Sequence, residues 1–248
     1  MNETLTTIIE ELHHPDHNVQ GRAAVKLGKS EDGGALELLL QALRTETDFY
    51  VQEDITWSLV RKGEAAVTPL IRLLSDANPA TRHHAAHTLG KIGASNAVDA
   101  LIAALQDQDI TVIAKAAFAL GQIGDQRALP ALMDLLGHSE REVQTTIVSV
   151  MERFGTAAVE PLLGALQHER WQVREQAADI LGLIGDQEIM LPLIAALDDE
   201  QWQVRFAVVT ALGSIGGQSS KSALQKMGTD PEIRVRELAQ MLAARVKA

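Results

Sequence analysis

The sequence predicts an all-α protein, an α-solenoid of tandem helix pairs, and three observations carry that expectation. Six glycines recur at Gly63, Gly93, Gly124, Gly155, Gly185 and Gly216, separated by 30, 31, 31, 30 and 31 residues, the mark of one supersecondary unit repeated without insertion. Within each unit the apolar residues fall three and four apart, the spacing of a helix face. Of the 248 residues, 46% are hydrophobic but only 3% aromatic, so the interior must be built from Ala, Leu, Ile and Val, a mixture suited to close-packed helices.

A helix pair of this length cannot bury a core alone, so successive pairs must stack, giving a right-handed superhelical array. No Pro-, Gly- or Ser-rich linker divides the chain. The expectation is a single domain over 1–248, with repeats at approximately 1–31, 32–63, 64–93, 94–124, 125–155, 156–185 and 186–216 and a C-terminal cap at 217–248.

In chain order, residues 2–13 predict a polar-faced first helix. The third unit shows the internal plan. Residues 66–74 predict its first helix, with Pro69 in the opening turn, where a missing N–H costs nothing. A turn at 76–79 follows, with Asn78 as N-cap and Pro79 at the first helical position. The second helix runs to about Gly93, with Ala85, Ala86, Leu89 and Ile92 as its core face. The small pair recurs as Ala23 and Ala24, Ala116 and Ala117, Ala177 and Ala178. A glycine after the leucine, at Gly28, Gly90, Gly121, Gly182 and Gly213, costs about 1 kcal/mol of helix propensity against Ala, so its recurrence predicts a close backbone approach. The last unit lacks that ending and closes on 244–248, where basic residues suit a helix C-terminus.

The segments from Asp107 to Gly124 and from Gln172 to Gly185, with Leu-Gly-x-Ile-Gly endings and, in the second, Val-Arg before the Ala pair, resemble HEAT repeats of the short phycobilisome-lyase HEAT-like type. The resemblance covers nearly the whole chain. It implies the fold and leaves function open, because this repeat serves unrelated roles.

A net charge of −11 disfavours nonspecific nucleic acid binding and an anionic membrane surface. There is no cysteine, hence no disulfide framework and no thiolate nucleophile. The opening residues carry no basic stretch followed by an apolar run, and no apolar run is long enough to span a bilayer. The cytoplasm is the expected location.

Stacked repeats display their variable positions as columns across the second helices, which this repeat type implies will line the concave face. The His83 column reads Gly21, Glu53, His83, Ala114, Thr145, Glu175 and Phe206. The His84 column reads Arg22, Asp54, His84, Lys115, Thr146, Gln176 and Ala207. The His87 column reads Val25, Trp57, His87, Phe118, Ser149, Asp179 and Thr210. Repeats two to four therefore bring Glu53, Asp54, Trp57, His83, His84, His87, Lys115 and Phe118 onto neighbouring helices, an acid, imidazole and aromatic cluster. His83 and His87 lie four apart, a spacing that lets two imidazoles reach one ion, with Glu53 able to add an oxygen. The alternative is a solvated polar face. HEAT-repeat deoxyhypusine hydroxylases resemble this arrangement, with His-Glu pairs at the first two columns. Here His83 is followed by His84 and the other pairs are absent, so that activity is not expected.

An arginine column, Arg82, Arg174, Arg205 and Arg236 with Gln20, Gln52 and Gln144 at equivalent places, predicts a ladder of ion pairs to Asp residues such as Asp76, Asp107 or Asp198. Trp171 and Trp202, each opening a Trp-Gln-Val-Arg segment, stand at the same point of consecutive repeats. They serve either as binding anchors or as seals over the turn between two helices. Similar segments occur in phycobilin lyase subunits.

The chain holds no nucleophile elbow, phosphate-cradling glycine loop or His-Glu-x-x-His. HEAT-like DNA glycosylases use a basic and aromatic concave face, whereas this one is mixed. The expectation is a non-enzymatic scaffold that binds a protein or peptide through Glu53, Asp54, Trp57, His83, His84, His87, Lys115, Phe118, Trp171 and Trp202, without cofactor, nucleic acid or membrane. The alternatives are a bilin-lyase-like or cofactor-chaperone role, and a metal-dependent activity at His83, His87 and Glu53.

Overall fold

The computed structural model describes residues 5–246. Every regular element among them is helical, and the chain divides into two compact units at Ala128. In the first unit four helix pairs follow one another: α1 (Leu5–Leu12) with α2 (His17–Lys29), α3 (Gly34–Thr45) with α4 (Phe49–Lys62), α5 (Glu64–Leu73) with α6 (Pro79–Ile92), and α7 (Val98–Ala104) with α8 (Ile110–Ile123). The second unit repeats the plan with α9 (Leu129–Met133) and α10 (Arg141–Phe154), α11 (Val159–Ala165) and α12 (Trp171–Ile184), α13 (Met190–Ala195) and α14 (Trp202–Ile215), α15 (Gly217–Met227) and α16 (Ile233–Arg245). The segment expected as a C-terminal cap from 217 onward holds the helix pair α15 and α16. Of the expected first helix at 2–13, residues 5–12 are helical and residues 2–4 lie outside the described residues, as do Lys247 and Ala248.

The second helices of the first unit start at a capping side chain, whereas α10, α12 and α14 start without one. Asp16, Asp48, Asn78 and Asp109 each accept a hydrogen bond from the backbone N–H two residues on, at 2.9–3.0 Å, satisfying one of the donors a helix start leaves unpaired. α6 ends at Gly93 in the left-handed region, φ 74°. Ala85, Ala86 and Leu89 are fully buried, while Ile92, expected in the same face, is only half-buried.

The first helices differ from expectation. α5 begins at Glu64, directly after Gly63 at φ 57°, so Pro69 sits in the helix interior rather than in its opening turn. In later repeats a 3₁₀ turn precedes the first helix, at 95–97, 126–128, 155–158 and 187–189. There the matching Pro130, Pro161 and Pro192 fall at the second or third helical residue, where no intrahelical donor is lost.

At three of its five positions the glycine column makes the close backbone approach that its recurrence predicts. A Cβ added to Gly28 would lie 2.9 Å from the Ser58 Cα, one on Gly90 2.8 Å from the Ala119 Cα, and one on Gly182 2.6 Å from the Ala211 Cα. Each glycine faces the following second helix, so α2 and α4, α6 and α8, and α12 and α14 pack closely. Two of the second helices that another follows lack this glycine. α4 carries Ile55, Thr56 and Val60 where the pattern has Ala, Ala and Gly, and α10 carries Ile147, Val148 and Glu152. Their contacts with α6 and α12 are correspondingly looser, because the added side chains hold the backbones apart.

The arginine ladder forms, with Asp107 as an expected partner and Asp199 and Asp230 in place of the others. Arg82 grips Asp107 through Nε and Nη2 at 2.7 Å each, Arg174 grips Asp199 at 2.6 and 2.9 Å, and Arg205 grips Asp230 at 2.8 and 3.0 Å. Asp198 is not a partner: it ends the 3₁₀ turn 196–198, and the next residue occupies the bridging place. The Asp76 carboxylate pairs with Arg44 at 3.1 Å, and only its carbonyl meets Arg82, at 2.9 Å. Each Arg also donates from Nη1 to the carbonyl six residues before it, and Gln52 and Gln144 make the same bond, at 2.8 and 2.6 Å. At these Arg and Gln positions the column therefore closes the turn inside its repeat, and at Arg82, Arg174 and Arg205 it also ties that repeat to the next Asp.

Candidate functional site

The two loosely packed pairs of second helices each carry a group of polar and aromatic side chains. Between α4 and α6, the His87 Nε2 meets the Glu53 Oε1 at 3.3 Å and the Lys91 ammonium lies 3.6 Å from Glu53 Oε2. The same ammonium sits 4.2 Å from the centre of the Trp57 ring, a cation–π contact. Trp57 itself is 55% exposed, so an indole held from one side by Lys91 presents its other surface to solvent.

The three histidines are half-buried and uncharged at neutral pH. Burial and the Lys115 charge push His83 down to about 4. Burial and Lys115 also lower His84, and burial with Lys115 and Lys91 lowers His87 against the opposing bond to Glu53. The His87 Nδ1 is buried without a hydrogen-bond partner. As a bare lone pair it leaves a neutral acceptor unpaired, whereas protonation would bury a charged donor with no acceptor, which costs more, so the geometry also keeps His87 neutral.

Not all expected cluster residues converge. His83 and His84 stack edge to face, with ring centres 5.1 Å apart. Asp54 turns away from the histidines and rests against α2, where its Oδ2 fills the space that a Cβ on Gly21 would occupy. Burial and then the Glu53 charge raise its carboxyl above the usual range. There it lines a cavity of about 690 Å³ with His17, Arg22, Val25 and Tyr50. Lys115 lies within 5.6 Å of the Phe118 ring on its own helix. Among the described residues no three His, Asp or Glu side chains are arranged to hold one metal ion, and Glu53 is engaged by His87 and Lys91 rather than facing His83.

Between α10 and α12 the corresponding gap is a cavity of about 500 Å³ lined by Trp171, Glu175, Asp179, Arg141, Gln144 and Thr145 among others. Its floor is fixed by Gln176, which accepts from the Gly137 N–H at 2.7 Å and donates to the Gln144 carbonyl at 2.9 Å. Asp179 is reached by solvent, yet the surrounding walls limit its hydration, and that burial raises its carboxyl to about 6. Burial and Asp179 raise Glu175 in the same way. Trp202, equivalent to Trp171, has a different environment: it packs edge to face with Phe206 at 6.5 Å and lies under the Arg234 guanidinium at 4.6 Å.

Sequence reasoning gave Lys91 no role, and passed over Glu175 and Asp179 as a pair. The signal for both was the lost glycine at Val60 and Glu152, which marks where neighbouring helices part.

The chain belongs to the HEAT repeat family, whose model matches residues 36–113, 98–170 and 159–243. Among solved structures it is similar to importin beta, at 14% identity and a TM-score of 0.61 over 97% of this chain and 40% of that one. It thus spans well under half the length of that protein, and the likeness is one of fold. Other similar structures are the complex of CpcE and CpcF of phycocyanin lyase from Nostoc sp. (20% identity, TM-score 0.46, covering 100% and 96%) and human deoxyhypusine hydroxylase (22%, TM-score 0.41, covering 97% and 94%). Among curated protein sequences none matches this chain. No helix among the described residues is long and apolar enough to cross a membrane.

Proposed function

We propose that the protein is a non-enzymatic scaffold that binds a protein or peptide partner on the surface of its second helices, centred on α4, α6 and α8. The observation that carries this reading is Trp57: an indole more than half exposed, yet fixed from behind by Lys91, which Glu53 in turn holds. Exposed tryptophans that are already ordered make efficient anchors, because little side-chain entropy is lost on binding. Affinity capture from a source lysate with wild type and with the variant Trp57→Ala/His87→Ala tests it. Partners lost from the variant support the surface, and identical partner profiles remove it.

A second reading, a bilin-lyase-like or cofactor-chaperone role, draws on Trp171, whose indole lines the cavity between α10 and α12. A change in visible absorbance on mixing with a bilin and its acceptor protein is the expected sign, and an unchanged spectrum counts against it.

A further inference from the structure

The cavity of about 500 Å³ between α10 and α12 carries opposite charges at separate places along its length. Arg141 opens α10 and Trp171 opens α12. Glu175 and Asp179 follow Trp171 on the same face of α12, four and eight residues on, which is about 6 and 12 Å along the helix axis. Beyond Arg141 the wall that α10 contributes is uncharged: Gln144, Thr145 and Val148. Among the described residues neither carboxylate has an ion-pair partner, and no cation offsets the burial that raises both. The floor between the helices is fixed, since Gln176, only 8% exposed, is bonded to both the Gly137 N–H and the Gln144 carbonyl. Trp171 differs from the other two tryptophans of the chain. Lys91 lies on Trp57 at 4.2 Å and Arg234 on Trp202 at 4.6 Å, whereas among the described residues no cation lies on Trp171.

We propose that this cavity binds a linear ω-amino acid, with its ammonium between Glu175 and Asp179, its methylenes along the Trp171 indole and its carboxylate toward Arg141. The inference is independent of the surface centred on Trp57, and it competes with the bilin reading for the cavity beside Trp171. Each part of the ligand answers a separate feature. Carboxylates that the walls have already stripped of water gain most from a cation, because folding has removed part of their hydration beforehand. The indole offers flat apolar surface to a hydrocarbon chain and attracts the ammonium as well. Arg141 disfavours a second ammonium and selects a carboxylate, which a guanidinium grips through two parallel bonds. The volume suits a small molecule. A metal ion fits less well, since two carboxylates supply fewer oxygens than the roughly six or more that a hard cation takes.

Isothermal titration calorimetry of the full chain at pH 7.5 with 6-aminohexanoate, hexylamine and hexanoate tests the inference. The expected result is saturable binding of 6-aminohexanoate, with hexylamine and hexanoate each at least about tenfold weaker. Asp179→Asn and Glu175→Gln should each weaken 6-aminohexanoate about tenfold, and Arg141→Gln should bring it down to the affinity of hexylamine. Asp179→Asn removes a poorly hydrated charge, so its melting temperature should not fall, and the loss then reads binding rather than folding. In the variant Trp57→Phe/Trp202→Phe, which leaves Trp171 as the only tryptophan, 6-aminohexanoate should shift the indole emission. Equal binding of hexylamine and 6-aminohexanoate overturns the ω-amino acid in favour of a simple alkylammonium ion. Failure of every probe to bind, or binding that the two carboxylate variants leave unchanged, overturns the site. None of these outcomes alters the capture experiment, which judges the Trp57 surface separately.

Discussion

Gly182 of α12 lies against Ala211 of α14 so closely that a Cβ on the glycine would stand 2.6 Å from the Ala211 Cα. Real Cβ atoms do not approach a backbone that closely, so the two helices can keep their separation only while residue 182 has no side chain. The same contact joins α2 to α4 and α6 to α8, and its absence after Val60 and Glu152 opens the two places where polar and aromatic side chains gather.

Gly182→Ala should therefore destabilise the protein even though it gains about 1 kcal/mol of helix propensity. Overpacking costs about 1–3 kcal/mol, and Gly182→Val should exceed Gly182→Ala. Urea denaturation followed by circular dichroism reads both, and an unchanged or raised midpoint for Gly182→Ala would mean that α12 and α14 can separate freely.

The arginine column makes a prediction from its own variation. Arg174 is 9% exposed, and Arg174→Ala leaves Asp199 without its partner, a loss of about 3 kcal/mol. Arg82→Gln should cost less than Arg82→Ala by about 1 kcal/mol, because Gln52 and Gln144 show that glutamine keeps the bond to the carbonyl six residues back. Equal losses in the two Arg82 variants would assign the whole effect to the pairing with Asp107.

The histidines set an acid sensitivity. His83 is depressed in the folded state to about 4, below its ordinary value near 6.5. The unfolded chain then binds the proton first, and the associated stability is present above about pH 6.5 and lost as the pH falls toward 4. Melting temperatures between pH 7.5 and 5 should fall less steeply in His83→Asn than in wild type. Parallel profiles would show that His83 is as hydrated in the folded protein as in the unfolded one.

Asp179 acts in the opposite direction. Its carboxyl is raised to about 6, so its contribution is present below the ordinary value near 3.9 and lost as the pH rises through 6. Asp179→Asn should raise the melting temperature at pH 7.5 and leave it unchanged near pH 4. A gain at both values would point to a cause other than ionisation.

The repeat, its period and, in the third unit, the boundaries of the second helix were legible in the sequence, because glycine spacing, capping residues and apolar periodicity act over a few residues and leave local marks. So was the tight contact at Gly28, Gly90 and Gly182, since an unfavourable residue that recurs implies a compensating approach. The column alignment also placed Glu53, Trp57 and His87 on adjacent helices. What only the tertiary structure decided was which of these side chains meet: Glu53 chooses His87 and Lys91 over His83, Asp54 turns to Gly21, and Trp171 lines a cavity while its equivalent Trp202 stacks on Phe206 under Arg234. Those choices depend on ångström-scale differences in helix separation, to which the bulk of Val60 and Glu152 contributes between α4 and α6 and between α10 and α12, and on which charges share a poorly hydrated gap. Neither quantity is encoded in the spacing along the chain.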